Sequence, residues 1–133
     1  MQTIQIPAGA TSQSVFIELK NVADLLPATG YDYSWPMFVH YLRPDASPAQ
    51  VNAAELTGMS QSWVSGGFIE VGVGVYRVDV PNAAIVPGAN QAVVIVTDNT
   101  VLASSTVFGS VLIELTNIPT DFSGSALRRV AAR

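Results

Sequence analysis

One segment, residues 75–81, restricts the fold of this chain more than any other stretch. Within it, apolar side chains alternate with Arg77 and Asp79, which is the period-two pattern of a strand buried on one face. Pro81 has no N–H to give to a sheet, so the strand ends there. The chain therefore contains a half-buried strand with a defined end.

Further segments show strand character and are separated by clusters of turn residues. They are residues 3–6, 15–20, 37–43, 61–64, 68–71, 92–97 and 104–115. Residues 46–58 are ambiguous, because Ser47 followed by Pro48 is typical of a helix start, whereas residues 51–57 also suit a strand that crosses to the other sheet. Short strands at this spacing predict an all-β fold, an antiparallel two-sheet sandwich of immunoglobulin-like or jelly-roll-like type.

The length of 133 residues suits a single domain with its own hydrophobic core. The strand pattern stops at Pro119, so we expect the sandwich at residues 1–118 and a tail at residues 119–133. The absence of cysteine excludes a disulfide framework and a thiolate metal site. No stretch reaches the roughly 20 apolar residues of a membrane span, and the first residues lack a signal-peptide pattern, so we expect the chain to be made in a cytoplasm.

Charged residues are few and unevenly placed. They make up 12% of the chain, against 49% hydrophobic residues, which suggests that other subunits cover part of its surface. Half of the lysines and arginines lie in the tail, and the acidic remainder repels nucleic acid. We expect a partner to contact the apolar and basic residues of the tail, namely Phe122, Leu127, Arg128, Arg129, Val130 and Arg133.

Residue types that carry catalysis are sparse. His40 is the only histidine, and no serine occupies the strained turn typical of a nucleophile, so we expect a structural or surface role for it. Glu70, Asp79 and Glu114 have apolar neighbours in strand alternation, which is typical of solvent-facing carboxylates. One histidine with scattered carboxylates offers no metal-ligand cluster. We predict a non-enzymatic protein with no catalytic residue, no cofactor and no metal.

Three aromatic residues lie close together before the strand at residues 37–43. Tyr31, Tyr33 and Trp35 alternate with polar residues, which in an extended segment places all three side chains on one side. Pro36 favours an edge or loop position, where partner contacts occur. Such a row packs into the core, forms a subunit interface or provides a stacking platform for sugars. These three alternatives stay open.

The order of several motifs resembles a small structural module of bacteriophage virions. That module reads roughly GGF-E-(V/I), then G-Y-R-(L/V)-D-(L/V)-P-(D/N)-A-A, then a VVV strand. The corresponding stretches here are residues 66–71, 74–84 and 92–96, with residues 37–44 similar to an upstream strand and 111–115 similar to a closing strand. The resemblance spans residues 30–116.

This resemblance implies a structural protein of the phage particle, made in the host cytoplasm and acting through protein–protein contacts. The preferred place is the capsid surface, as a decoration (cement) protein or a head fibre, and a neck, tail or fibre-attachment component is the alternative. We expect contacts with copies of itself, as a dimer or trimer, and with capsid or neck proteins. Recognition of host-surface carbohydrate by Tyr31, Tyr33 and Trp35 is an alternative of a different class. Nucleic-acid binding and membrane association are not expected.

Overall fold

The computed structural model describes residues 1–116, which form two β-sheets packed face to face. In chain order the elements are β1 (Gln2–Pro7), β2 (Ser14–Glu18), β3 (Lys20–Asn21), β4 (Phe38–Leu42), β5 (Ala49–Asn52), β6 (Ala54–Glu55), β7 (Gly67–Gly72), β8 (Val75–Asp79), a 3₁₀ turn (Asn82–Ala84), β9 (Gln91–Thr97), a second 3₁₀ turn (Leu102–Ser104) and β10 (Val107–Thr116). The larger sheet has the order β1, β10, β9, β4, β5, with β3 also beside β10, and the smaller sheet has the order β2, β8, β7, β6.

The core lies between the two sheets and follows the period-two alternation of the strands. Tyr76 and Val78 of β8 face the core and are buried, and so are Val94 and Val96 of β9. Phe68 of β7 stacks on Tyr76, with ring centres 4.7 Å apart. Each such side chain contributes about 1.5–3 kcal/mol by leaving water, so this layer stabilises the packing of the two sheets.

At two places the chain passes from one sheet to the other, and these crossings close both sides of the sandwich. β2 pairs with β8 in the smaller sheet, and after Leu19 the chain continues as β3 beside β10 of the larger sheet. On the opposite side, Ala53 separates β5, which pairs with β4, from β6, which pairs with β7. Leu19 and Ala53 are both buried, so the two crossing points belong to the core.

The prediction of an all-β, two-sheet sandwich is confirmed. Most neighbouring strands are antiparallel, but β1 runs parallel to β10 and β6 runs parallel to β7, so both sheets are mixed. The ambiguous segment at residues 46–58 contains β5 and β6 rather than a helix. Residues 117–118 of the predicted domain and the predicted tail at residues 119–133 lie outside the described residues.

Two predicted strands differ in the structure. Residues 61–64 form a loop, because Trp63 Nε1 donates to the Val80 carbonyl at 3.2 Å and the Val64 amide donates to Asp79 Oδ2 at 2.9 Å, and these bonds replace a sheet ladder. β10 begins at Val107 rather than at residue 104, because the second 3₁₀ turn precedes it. Trp63 is half-buried in the loop and is not a residue of the inter-sheet core.

Asp79 is fully buried, so the expectation that it faces solvent is wrong. It lies on the outer face of the smaller sheet, where the loop at residues 56–66 covers it. Arg77 lies on the same face and donates from Nη1 to the Met59 carbonyl of that loop at 2.8 Å. Ser14 Oγ of β2 donates to Asp79 Oδ1 at 2.6 Å. Asp79 therefore joins two strands and a loop.

The two ends of the sandwich carry different loops. The strand registers place the segments at residues 22–36, 71–74 and 98–106 at one end, and the loops at residues 43–48 and 80–90 at the other. Residues 100–102 extend along the larger sheet as far as Pro48. At the second end the Arg43 guanidinium donates to the carbonyls of Ala84 at 2.9 Å and Val86 at 2.8 Å, which fastens one loop to β4.

None of the helical turns within residues 1–116 has the length and apolar character needed to cross a membrane.

Candidate functional site

Exposed hydrophobic side chains are concentrated at one end of the sandwich. We call the segments at residues 22–36, 71–74 and 98–106 the apolar end. Its exposed hydrophobic residues are Val22, Leu25, Leu26, Tyr33, Trp35, Val71, Val73, Val101 and Leu102. In the rest of the described chain, the exposed large hydrophobic residues are Met1, Phe16, Met59 and Val86, each in a different element or loop. Large exposed apolar patches are uncommon on soluble monomers and occur at interaction sites and ligand-binding grooves.

The three segments of the apolar end contact one another. The Val22 amide donates to the Thr106 carbonyl at 2.9 Å, which joins the first segment to the third. Gly74 in the second segment packs against Pro27 in the first, since a Cβ atom placed on Gly74 would lie 2.8 Å from the Pro27 Cβ. The three segments are therefore joined to one another at these points, and Leu102 of the third segment also lies beside Leu42 and Pro48 in a second cleft over β4 and β5.

Glu70 fastens two of these segments together. Its Oε1 atom accepts a hydrogen bond from the Gly30 amide at 2.9 Å, and its Oε2 atom accepts one from the Gly74 amide at 3.1 Å. Hydrogen bonds to a charged acceptor are stronger than those between neutral groups. Glu70 was expected to face solvent as one of three scattered carboxylates, but the structure gives it this bridging role instead.

The phenol of Tyr76 holds the first segment to the core. Its hydroxyl accepts from the Tyr31 amide at 3.2 Å and donates to the Ala28 carbonyl at 2.9 Å. Burial raises the pKa of Tyr76, and the nearby Glu70 carboxylate adds to this effect, while the hydrogen bond from Tyr31 opposes it. The phenol stays neutral and anchors the loop across the pH range in which proteins are normally handled.

Three aspartates close the turns of the apolar end by accepting backbone N–H groups. Asp24 accepts from the Leu26 amide at 3.0 Å, and Asp32 accepts from the Ser34 amide at 2.8 Å. The side-chain and backbone hydrogen bonds from Ser34 hold the pKa of Asp32 below its ordinary value. Partial burial opposes ionisation of Asp98, but hydrogen bonds from the third segment outweigh it and hold the pKa of Asp98 low. The end is thus ordered and acidic.

Two of the exposed hydrophobic residues are presented by left-handed backbone. Leu25 has φ of 61° and Val73 has φ of 54°, and Val73 is 84% exposed. The left-handed region is costly for a β-branched residue, and at Val73 the two-residue hairpin turn between β7 and β8 requires it. Glycine or asparagine would adopt this conformation at lower cost than valine.

The three candidate aromatic residues belong to the apolar end but do not form a flat row. Residues 33–36 form a turn, so the prediction of an extended segment is wrong for these residues. Tyr31 is half-buried against the core, whereas Tyr33 and Trp35 are exposed. The rings of Tyr31 and Trp35 meet edge to face, with centres 4.9 Å apart. Trp35 is therefore exposed at the surface with its ring in contact with that of Tyr31.

His40 has the geometry of a structural bridge. Its Nε2 atom lies 3.1 Å from Thr97 Oγ1 and 3.0 Å from the Asn99 carbonyl. Because a carbonyl only accepts, Nε2 carries the proton and donates. The histidine is buried and fastens the third segment of the apolar end to β4. Glu114 is exposed near the opposite end of β10, away from Glu70.

A cleft of about 480 Å³ adjoins the apolar end, with Leu25 in its wall beside Met1, Phe108 and the opposite charges of Glu18 and Lys20. The apolar surface thus continues from Leu25 toward β10. Within residues 1–116, no group of three or more histidine, aspartate or glutamate residues has an arrangement that suits a metal ion.

The predicted tail contacts fall on residues outside the described part of the chain. These residues are Phe122, Leu127, Arg128, Arg129, Val130 and Arg133. Comparison with known proteins finds no matching family model, no matching curated protein and no matching solved structure.

Sequence reasoning found part of the apolar end and missed the rest. Tyr33 and Trp35 were identified because aromatic residues are conspicuous in a turn-rich segment. Leu25, Leu26 and Val73 were not, since apolar residues near turns are indistinguishable from core residues until the fold brings the turns together. A signal was present at Val73, which stands between two glycines in a hairpin turn.

Proposed function

We propose that this chain is a non-enzymatic structural subunit of a bacteriophage particle and that the apolar end is its association surface. Its place on the particle is the capsid surface, as a decoration (cement) protein or a head fibre. The observation that carries the proposal is the concentration of exposed hydrophobic side chains on one preformed end of the sandwich. Surfaces of this type associate with little rearrangement, because their ordering cost is met during folding.

Two further features support association rather than catalysis. The carboxylates Glu70, Asp32 and Asp98 are engaged in closing loops, as described above, and His40 donates to a loop carbonyl. These groups order the apolar end instead of meeting at one reacting centre. The phage assignment itself rests on the sequence resemblance over residues 30–116, which includes the strand and turn that carry Glu70 and Val73.

The first test locates the chain on particles of the phage that encodes it. Antibodies to the chain are mapped by electron microscopy on purified particles, and the protein content is measured by mass spectrometry. We expect labelling spread over the head. Labelling at one vertex or along the tail would instead support a neck or fibre-attachment component. A chain absent from particles by both measurements would overturn the proposal.

The second test asks whether the apolar end makes the contact. In Leu26→Asp/Val73→Asp, two exposed apolar side chains become charged, and we expect binding to particles to fall by roughly a hundredfold. Val86→Asp is the matched control, because Val86 is an exposed valine at the opposite end. Equal binding by the two variants would contradict the assignment of this surface.

Carbohydrate binding is the second candidate function, and the geometry of Trp35 favours it. The side chain is 59% exposed and its ring meets that of Tyr31 edge to face, so an aromatic surface is open to a ligand. Trp35→Ala and Tyr33→Ala separate the two functions on a glycan array and in particle binding. Loss of glycan binding with particle association intact would support the sugar site, and loss of association alone would support the interface.

A further inference from the structure

We infer that the apolar end binds residues 117–133 of a second copy of this chain, so that copies associate head to tail. This inference rests on the proposed role of the apolar end as an association surface and names the partner that fills it. Three observations carry it, namely the charge of the apolar end, the composition of the segment after Thr116 and the position of Thr116 in the fold.

The three segments of the apolar end carry acidic side chains and no basic ones, and Lys20 lies at their border in the wall of the cleft beside Leu25. The acidic residues are Asp24, Asp32 and Asp98, with Glu70 beside the segments. The two arginines of the described chain lie elsewhere and are paired with carboxylates on their own strands or loops. A ligand for this surface therefore needs apolar side chains to cover the exposed leucines and valines, and cations to meet the carboxylates.

Residues 117–133 have this composition. They contain the apolar residues Ile118, Phe122, Leu127 and Val130 together with Arg128, Arg129 and Arg133, against the single acid Asp121. The segment holds half of the lysines and arginines of the protein. It is thus the part of the chain whose charge and apolar character complement the apolar end.

The position of Thr116 favours a second copy over the same copy. β10 runs from the apolar end, where Val107 lies beside β3, to Thr116 beside Pro7 at the opposite end. Ten residues of strand place Thr116 about 30 Å from the apolar end. Fully extended, the chain reaches at most about 22 Å by Phe122 and about 40 Å by Leu127, so in the same copy residues 127–133 are long enough to reach but Phe122 falls short. A neighbour whose apolar end faces Thr116 receives all of these residues.

A contact between opposite ends of two copies is heterologous, because each copy uses two different surfaces. Two associated copies still have one unfilled apolar end and one unbound tail between them. Further copies therefore add until a ring closes or a filament forms. In a filament, the apolar end of the terminal copy stays unfilled and is available for other proteins of the particle.

Disulfide trapping tests the contact in the full chain, which has no cysteine of its own. One chain carries Val73→Cys and a second, isotopically heavier chain carries Leu127→Cys. After mixing under mild oxidation, we expect the mixed disulfide to form roughly tenfold faster than with Phe16→Cys in place of Val73→Cys, because a bound tail raises the local thiol concentration. Phe16 is the control because it is exposed on the outer face of β2.

A chain carrying both Val73→Cys and Leu127→Cys distinguishes the two sources of the tail. We expect disulfides between chains, whereas disulfides within one chain alone would show that the tail returns to its own copy and would overturn the inference. Equal rates for Val73→Cys and Phe16→Cys would overturn it as well.

Light scattering on full-length charge variants provides a second readout. We expect Arg128→Glu/Arg129→Glu to raise the dissociation constant of self-association roughly tenfold, and Arg128→Lys/Arg129→Lys to leave it nearly unchanged, since the charge is kept. Unchanged association of the glutamate variant would contradict the inference. If these tests fail while Leu26→Asp/Val73→Asp still abolishes particle binding, the tail inference falls and the proposed function stands.

Discussion

Arg77 and Asp79 form a bidentate ion pair between two residues of the same strand. Arg77 Nε donates to Asp79 Oδ1 at 2.8 Å, and Nη2 donates to Oδ2 at 3.0 Å. Residues two apart on a strand point to the same face, which brings the guanidinium and the carboxylate together without bending the backbone. Arg43 and Asp45 repeat this arrangement at the end of β4, with Nη2 and Oδ2 2.9 Å apart. Each pair fastens a loop over a sheet.

Replacing Asp79 by asparagine should strongly lower the free energy of unfolding of the protein. The carboxylate also accepts from Ser14 and from the Val64 amide, and its removal leaves the buried Arg77 charge without a counter-ion. Breaking a buried pair by removing one partner costs about 3–5 kcal/mol. Urea denaturation of Asp79→Asn should show a loss of stability of this size.

The matched control is Asp45→Asn, the same substitution in the second pair. The Asp45 side chain is 36% exposed, and the Arg43 guanidinium keeps its carbonyl partners in the variant. We expect a clearly smaller loss of stability than for Asp79→Asn. Equal losses would show that burial of the pair does not decide its contribution.

Tyr76→Phe should change how stability depends on pH. The pKa of Tyr76 is raised in the folded protein above the ordinary value of 10.0, so the unfolded chain loses the phenolic proton first. The stabilisation is fully present below pH 10 and is lost as the pH rises from 10 through the folded-state pKa. The phenylalanine variant has no phenolic proton, so its stability does not show this loss. The difference in free energy of unfolding between wild type and variant therefore narrows above pH 10.

At neutral pH the same variant should be less stable by about 1–3 kcal/mol, because the Tyr31 amide and the Ala28 carbonyl lose their shared partner. Denaturation at pH 7, 9, 10 and 11 measures both effects. A constant difference between wild type and variant at all four pH values would contradict the role of the neutral phenol. Binding to particles should also weaken, since Tyr76 anchors the first segment of the apolar end.

Gly109→Ala should be destabilising because β10 passes close to β2 at this position. A Cβ atom on Gly109 would overlap the Glu18 carbonyl oxygen and lie 2.6 Å from Ile17 Cγ2. The Glu18 contact is with backbone, so it is relieved only by moving a strand, at a cost of about 1–3 kcal/mol. Gly58→Ala is the control, since a Cβ there meets nothing within 4 Å. Thermal unfolding should separate the two variants.

The sequence pattern predicted the strands best where alternation was complete, as in β8 and β9. It did not show that residues 15–20 serve two sheets, because the backbone stays extended through Leu19 and only the hydrogen-bond partner changes. Trp63 and Val64 resembled a strand locally, but their bonds to Val80 and Asp79 belong to the tertiary structure. Such bonds override local preference.

The apolar end was harder to predict than the fold, for a topological reason. Leu25, Trp35 and Val73 are separated by many residues in sequence and share a surface only because the strands that carry them all turn at the same end. The burial of Asp79 was hidden for a similar reason, since the covering loop follows a different strand. Local alternation identifies the face of a residue but not what covers that face.

Val73→Asn should increase stability and weaken association at the same time. Val73 has φ of 54°, a conformation that asparagine adopts more readily than valine. We expect the free energy of unfolding to rise by about 1 kcal/mol, as measured by urea denaturation. The variant also loses an exposed apolar side chain of the apolar end, so particle binding and self-association should decrease.

Val71→Asn separates the two effects, because Val71 is also exposed but lies in β7 and has a negative φ. It should weaken association without any gain in stability, since asparagine is a poorer strand residue than valine. A gain in stability with unchanged association in Val73→Asn would mean that the strained valine has no part in binding. Opposite shifts in stability and association are expected if Val73 serves the contact, since substitutions that stabilise a protein often weaken its function.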